Sequence, residues 1–107
     1  MSNYSWMSDK LKRKSVFVSQ YELAWKITDA EEFIEEALSN QVIVLGGDIL
    51  DANMQYNYDN WYYEPEKLIN KKANSLHSCD RMKNYIEKYR NSNGSEFFMI
   101  IICVTNV

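Results

Sequence analysis

Between Ala30 and Leu38 the apolar residues Ala30, Phe33, Ile34, Ala37 and Leu38 recur at steps of three and four, with Glu31, Glu32, Glu35 and Glu36 between them. That spacing predicts an amphipathic helix with one buried face. Thr28 followed by Glu31 has the form of a capping box, so the helix is expected to begin at Thr28 and to end at residues 39–41. Val42, Ile43, Val44 and Leu45 then form a β-branched run expected to be a central strand covered on both faces. Gly46 and Gly47 are expected to stop it, turn the chain and present Asp48 at the strand's end. Asp51, Ala52 and Asn53 suggest a turn, residues 56–63 alternate as a second extended segment, and Pro65 closes it. Leu76, Cys79, Met82, Ile86 and Tyr89 predict a second helix over residues 75–89, with Lys83, Glu87, Lys88 and Arg90 outside. Residues 91–94 make a turn, and residues 97–104 return as the most apolar strand, placed inside the sheet. Nearer the amino terminus, residues 15–18 read as a short strand and residues 20–26 fit a strand or a short helix. The order predicts a small α+β domain, one sheet packed with two main helices.

Length and composition agree with one compact unit. At 107 residues, 46% of them hydrophobic, with three Gly and one Pro, the chain suits a single domain over residues 1–107, with residues 1–14 as a candidate mobile segment. Its longest apolar run, residues 97–104, falls far short of the roughly 20 residues that cross a bilayer. Residues 1–6 lack the apolar stretch of a signal peptide, so a cytoplasmic location is expected. Cys79 and Cys103 lie in apolar patterns and are read as buried thiols.

Charge is distributed unevenly. Asp29, Glu31, Glu32, Glu35, Glu36, Asp48, Asp51, Asp59, Glu64 and Glu66 follow one another with no Lys or Arg among them, although the net charge is only −3. Such a run describes either the solvated side of a helix plus turn residues, or an electronegative surface. The second reading disfavours DNA or RNA as a ligand and favours a basic protein partner. Lys10, Lys12, Arg13 and Lys14 have no aromatic residue among them, which suits a solvated terminal segment better than a nucleic-acid or membrane site.

Several catalytic classes lack their residues. His77, the single histidine, lies two positions from Cys79 on a predicted helix, so the two side chains diverge by about 200° and cannot act as base and nucleophile. One histidine and two cysteines at this spacing do not make a zinc site. Asp48, Asp51 and Asp59 could bind a cation but suit turn and capping roles better. Gly46-Gly47 lacks the Lys and Ser or Thr of a phosphate loop, and Ile49 departs from the GGD signature of cyclic-dinucleotide synthases. No cofactor is expected.

The remaining concentration of chemistry is residues 56–66, where Tyr56, Tyr58, Trp61, Tyr62 and Tyr63 sit among Asp59, Glu64 and Glu66. A strand alternates its faces, so half of these rings, Trp61 among them, are expected in the core and half exposed. Exposed Tyr beside carboxylates suits a protein interface, since Arg or Lys of a partner can stack on the ring and pair with the acid. The same residues also fit a small-molecule or metal-binding regulatory domain with its pocket at the Gly46-Gly47-Asp48 turn.

Gly46-Gly47-Asp48 after a strand, then Tyr58-Asp59-Asn60-Trp61, a helix and a final apolar strand, resembles immunity protein family 40 over residues 28–104. The resemblance implies a small cytoplasmic protein of a bacterial polymorphic-toxin or contact-dependent growth inhibition system. Such a protein is non-catalytic and binds the carboxyl-terminal domain of its cognate toxin, a nuclease being one candidate. On that reading Asp48, Asp51, Asp59, Glu64 and Glu66 supply charge complementarity and Tyr62 and Tyr63 supply anchors. Gly46, Gly47 and Trp61 are structural.

Overall fold

The computed structural model describes residues 2–105. They fold as α1 (Asp9–Arg13), β1 (Val16–Ser19), β2 (Glu22–Lys26), a 3-10 turn (Ile27–Asp29), α2 (Ala30–Ser39), β3 (Ile43–Asp51), β4 (Tyr56–Tyr62), α3 (Lys71–Asn93) and β5 (Phe97–Val104). The strands make one antiparallel sheet in the order β1-β2-β5-β3-β4, an α+β architecture as expected, with the apolar β5 at its centre. Trp25, Ile49, Trp61, Met99, Ile101 and Cys103 meet Leu11 of α1, Phe33 of α2 and Met82 and Ile86 of α3 in one core. On the opposite face Ala24, Leu50 and Ile100 are shielded by Val18, Met54, Phe98 and Ile102, with no helix residue in the cluster.

The 42–45 run is covered as expected over Val42, Ile43 and Val44, each 0% exposed, and β3 is an inner strand, although helices pack on one face of the sheet alone. The start of β3 is dry because α3 lies on it through small polar side chains. Ser75 Oγ donates to the Val42 carbonyl (2.6 Å), and Ser78 Oγ accepts from the Val44 amide (2.9 Å). Leu76, which helical periodicity placed on the buried face, is 47% exposed, and Ser75 and Ser78 are buried instead. α3 also starts earlier and ends later than expected. Asn70 Oδ1 accepts from the Ala73 amide (2.8 Å) and caps it, well before Leu76, the first apolar position that defined the prediction.

The larger correction concerns the glycines. β3 does not turn at Gly46-Gly47 but runs through both. Gly47 pairs with Trp61 on one side and Ile101 on the other. A Cβ there would lie 2.8 Å from Trp61 Nε1, 2.8 Å from Met99 Sδ and 2.7 Å from the Ile100 carbonyl oxygen. The indole thus fills the space a side chain would take, and its Nε1 donates to Met99 Sδ (3.3 Å). A Cβ on Gly46 would fall 2.5 Å from the Trp61 carbonyl oxygen. Both positions are glycine for close approach inside a sheet, not for reversal of the chain.

The Thr28 capping box does not form. A 3-10 turn that buries Ile27 precedes α2, so Asp29 takes the cap position without a side-chain bond and Thr28 is exposed. At its other end α2 closes with Gln41 at φ 53°, the Gln41 amide donating to Leu38 and the Val42 amide to Ala37.

Within residues 1–14, expected as a candidate mobile segment, Tyr4, Trp6, Met7 and Leu11 pack against the core. Tyr4 OH accepts from the Leu23 amide (3.1 Å) and donates to the Ile101 carbonyl (2.7 Å), bridging β2 and β5. Trp6 packs edge-on against Phe33, and Leu11 is fully buried with its carbonyl accepting from Trp25 Nε1 (3.0 Å). Aromatic residues scattered without period fill one corner of the core, which no periodicity argument detects.

Two stability predictions follow from this packing. Tyr4→Phe leaves the Leu23 amide without its acceptor and should cost about 1–3 kcal/mol in urea unfolding; a wild-type midpoint would show that residues 2–7 do not support the sheet. Gly47→Ala should cost about 1–3 kcal/mol by overpacking against Trp61 and the Ile100 backbone, and a neutral result would mean that the indole is free to move aside.

Candidate partner-binding surface

The residues predicted to contact a partner do not form one patch. Along β3 and β4 the pairs Gly46 with Tyr62, Asp48 with Asn60 and Leu50 with Tyr56 share the helix-free face, because Asp48 and Leu50 also pair with Ile100 and Phe98. Tyr62 is 71% exposed there. Tyr63, one residue later, points the other way and is 7% exposed, so it is not an available anchor. Its hydroxyl donates to Asn74 Oδ1 (2.6 Å), and Asn74 also ties down the Glu66 backbone, which makes Tyr63 a fastening between β4 and α3. Trp61 is buried, as expected.

Asp51 does not reach that surface as a free carboxylate. It accepts from the Asn53 amide (2.8 Å) and the Gln55 amide (3.0 Å), capping the turn that joins β3 to β4. Asp59 is likewise engaged. Tyr89 of α3 donates to Asp59 Oδ2 (2.7 Å), while Asn57 Nδ2 donates to the Tyr89 hydroxyl (2.6 Å). The clamp holds an irregular stretch of β4 in which Tyr58 takes φ 67° and stands 89% exposed. Burial pushes the nearby Tyr85 hydroxyl up to about 12, with Asp59 and Tyr89 adding to it. Glu64 and Glu66 are exposed on the segment after β4.

The acidic run is not one electronegative surface. Lys14 at the end of α1 pairs with Glu32 (2.8 Å) and Asp29 (3.8 Å), which holds the Glu32 carboxyl below its ordinary range. Glu36 accepts from the Ser8 amide and hydroxyl (2.8 and 2.6 Å). Glu31 and Glu35 line a groove with Lys83 and Arg90 of α3. Charges separated along the chain are thus brought together in space.

Asp48 differs from these acids. Its carboxyl is pushed above the ordinary range by burial first and by Glu22 second, and among the described residues it has no ion pair and no side-chain hydrogen bond. Glu22, which precedes Ala24 by two on β2 and so shares its face, was missed because residues 20–26 fitted a helix as well as a strand. The alternation of Glu22, Ala24 and Lys26 against Leu23 and Trp25 was the available signal.

Two concavities border β4. A groove of about 760 Å³ between β4 and α3 carries both signs, with Glu66 and Asp80 beside Arg81 and Lys88, and Arg81 donates to the Tyr62 carbonyl (3.1 Å). On the helix-free face, a shallow depression of about 310 Å³ lies over bare Gly46, bordered by Asp48, Asn60, Tyr62 and Ile102. The pocket expected at a glycine turn is thus an open dip in a flat sheet. Among the described residues, no three His, Cys, Asp or Glu side chains converge to hold a metal ion, and Asp48, Asp51 and Asp59 have separate surroundings.

A family model described as Immunity protein 40 matches residues 10–103. The chain belongs to the immunity protein 40 family. The match takes in β1, β2 and all of α1 but its first residue, beyond the stretch in which sequence motifs carried the resemblance. No curated protein and no solved structure matches the chain. The motif residues of this family member acquire a physical reason from the fold, since Gly47 and Trp61 are cross-strand partners and Gly46 faces Tyr62.

The unusual direction at Asp48 gives a pH test. A carboxyl whose pKa is higher in the folded than in the unfolded chain opposes folding when ionised. The opposition is absent below the unfolded value of about 3.9 and complete above the folded one. Asp48→Asn should therefore raise the melting temperature at pH 7 and leave it near wild type at about pH 3; a lower melting temperature at pH 7 would show that the carboxylate supports the fold.

Proposed function

We propose that this chain is a non-catalytic immunity protein that binds the carboxyl-terminal domain of a cognate bacterial toxin and neutralises it by covering its active site or an adjacent surface. Family membership over residues 10–103 is the observation that carries the reading. The setting we infer is a polymorphic-toxin or contact-dependent growth inhibition system, with the protein acting in the cytoplasm of the producing cell. No helix among the described residues is long and apolar enough to cross a membrane. A nuclease is the toxin class that best suits the exposed acids Glu64 and Glu66 together with the unpaired Asp48, because nuclease sites are basic and an acidic partner can take the place of nucleic acid.

The chemistry of the chain supports binding over catalysis. Burial pushes the Cys79 thiol up to about 11, and Cys103 is raised for the same reason, so neither is a nucleophile near neutral pH. Cys79 faces the core while His77 is exposed on the other side of α3. Exposed Tyr58 and Tyr62 provide aromatic surface of the kind enriched in interface anchors.

Calorimetric titration and size-exclusion chromatography with the purified domain of the toxin encoded beside this chain test the proposal. A stable complex at nanomolar concentration, with toxicity relieved on co-expression, is expected; no complex and undiminished killing would overturn it. Glu64→Lys with Glu66→Lys should lower the association rate by about tenfold at low ionic strength and flatten its salt dependence. Unchanged rates would remove these two acids from the encounter surface.

A further inference from the structure

The helix-free face of the sheet combines three properties that occur together nowhere else among the described residues. Its centre is apolar, with Ala24 and Ile100 at 0% exposure. It carries a carboxylate, Asp48, that neither an ion pair nor a side-chain hydrogen bond compensates, with a second acid, Glu22, close enough to disfavour its ionisation. Beside that carboxylate the sheet is bare, because Gly46 has no side chain and cannot acquire one without meeting the Trp61 backbone. Register places Tyr62 opposite Gly46 and Tyr56 opposite Leu50, so Asp48 emerges between the two aromatic rows.

We propose that this face is where the toxin docks, and that the depression over Gly46 receives an arginine or lysine side chain of the toxin, which pairs with Asp48 and packs against the ring of Tyr62. The proposal rests on the immunity reading and adds to it a face, a seat and a new residue, Glu22. A guanidinium or ammonium fits the depression chemically. Asp48 offers the carboxylate, Asn60 a neutral acceptor and Tyr62 a ring face, the arrangement in which charge-assisted hydrogen bonding and cation–π attraction act on one group. Glu22, held by Ser19 Oγ (2.7 Å), adds negative potential from β2.

The same charges select against other occupants. A second copy docking face to face would bring two Asp48 and Glu22 pairs together, and nucleic acid or an anionic membrane would be repelled. Lys26 is the one base on this face by strand alternation, in line with Ala24 and Glu22. Among the described residues it forms no ion pair with either acid. The apolar surround makes an ion pair at Asp48 less screened than one on an ordinary surface.

The experiment compares wild type, Asp48→Asn, Glu22→Gln, Tyr62→Ala and, on the exposed side of α3, Leu76→Ala, each titrated with the purified neighbouring toxin domain at two salt concentrations. Asp48→Asn and Tyr62→Ala should each weaken binding by at least about tenfold, Glu22→Gln by less, and Leu76→Ala not at all. Asp48→Asn should do so while the free protein melts no lower than wild type, a combination that loss of a structural group does not produce. If wild type binds and Asp48→Asn and Tyr62→Ala bind equally well, the docking face lies elsewhere while the immunity reading stands. If wild type does not bind the toxin, that reading fails and this proposal with it. Sedimentation showing a dimer of the free protein that buries Tyr62 would also overturn it.

Discussion

The contact between Trp61 and the bare backbone of Gly47 is the constraint from which the rest of the sheet takes its form. Two glycines in the interior of a strand weaken it, since they bury no side chain and lose more backbone freedom on folding. Here the indole of the neighbouring strand occupies the vacated volume and touches Met99 of β5, so three adjacent strands are registered by one side chain. The motif that carries the family resemblance is thus a packing device. Its two halves are distant in sequence because they belong to facing strands.

That device also shapes the opposite face. With Trp61 and Gly47 directed toward the helices, the alternation of the strands sends Gly46, Asp48, Asn60 and Tyr62 to the side no helix covers. A structural necessity on one face leaves a depression next to a carboxylate on the other. The stability of the core and the chemistry of the proposed docking surface are two consequences of a single strand register.

Helix α3 reaches the sheet by an unusual route for so long an element. Its early turns bury Asn74, Ser75 and Ser78, each hydrogen-bonded, instead of a row of aliphatic side chains. Small side chains let the helix approach the start of β3 closely. Their hydroxyls bond the Val42 carbonyl and the Val44 amide, groups that would be costly to bury unpaired. Met82 and Ile86 continue the contact as apolar packing farther along.

The sequence by itself determined the two main helices, the α+β class, the inner position of β5, the buried thiols and the exposure of Tyr62. Each of these follows from local periodicity, which depends only on the geometry of helices and strands. Glu22 escaped notice because a seven-residue stretch satisfied two periods, and the packing of Tyr4 and Trp6 escaped because it has none. Tertiary structure alone decided which charges are neutralised, since Lys14 and Glu32 meet only after α1 folds against α2. It decided that Tyr63 is a fastening and not an anchor, and that Gly46 and Gly47 lie within a strand. Glycine permits both a turn and a close approach, and the two are distinguished only by what lies opposite it.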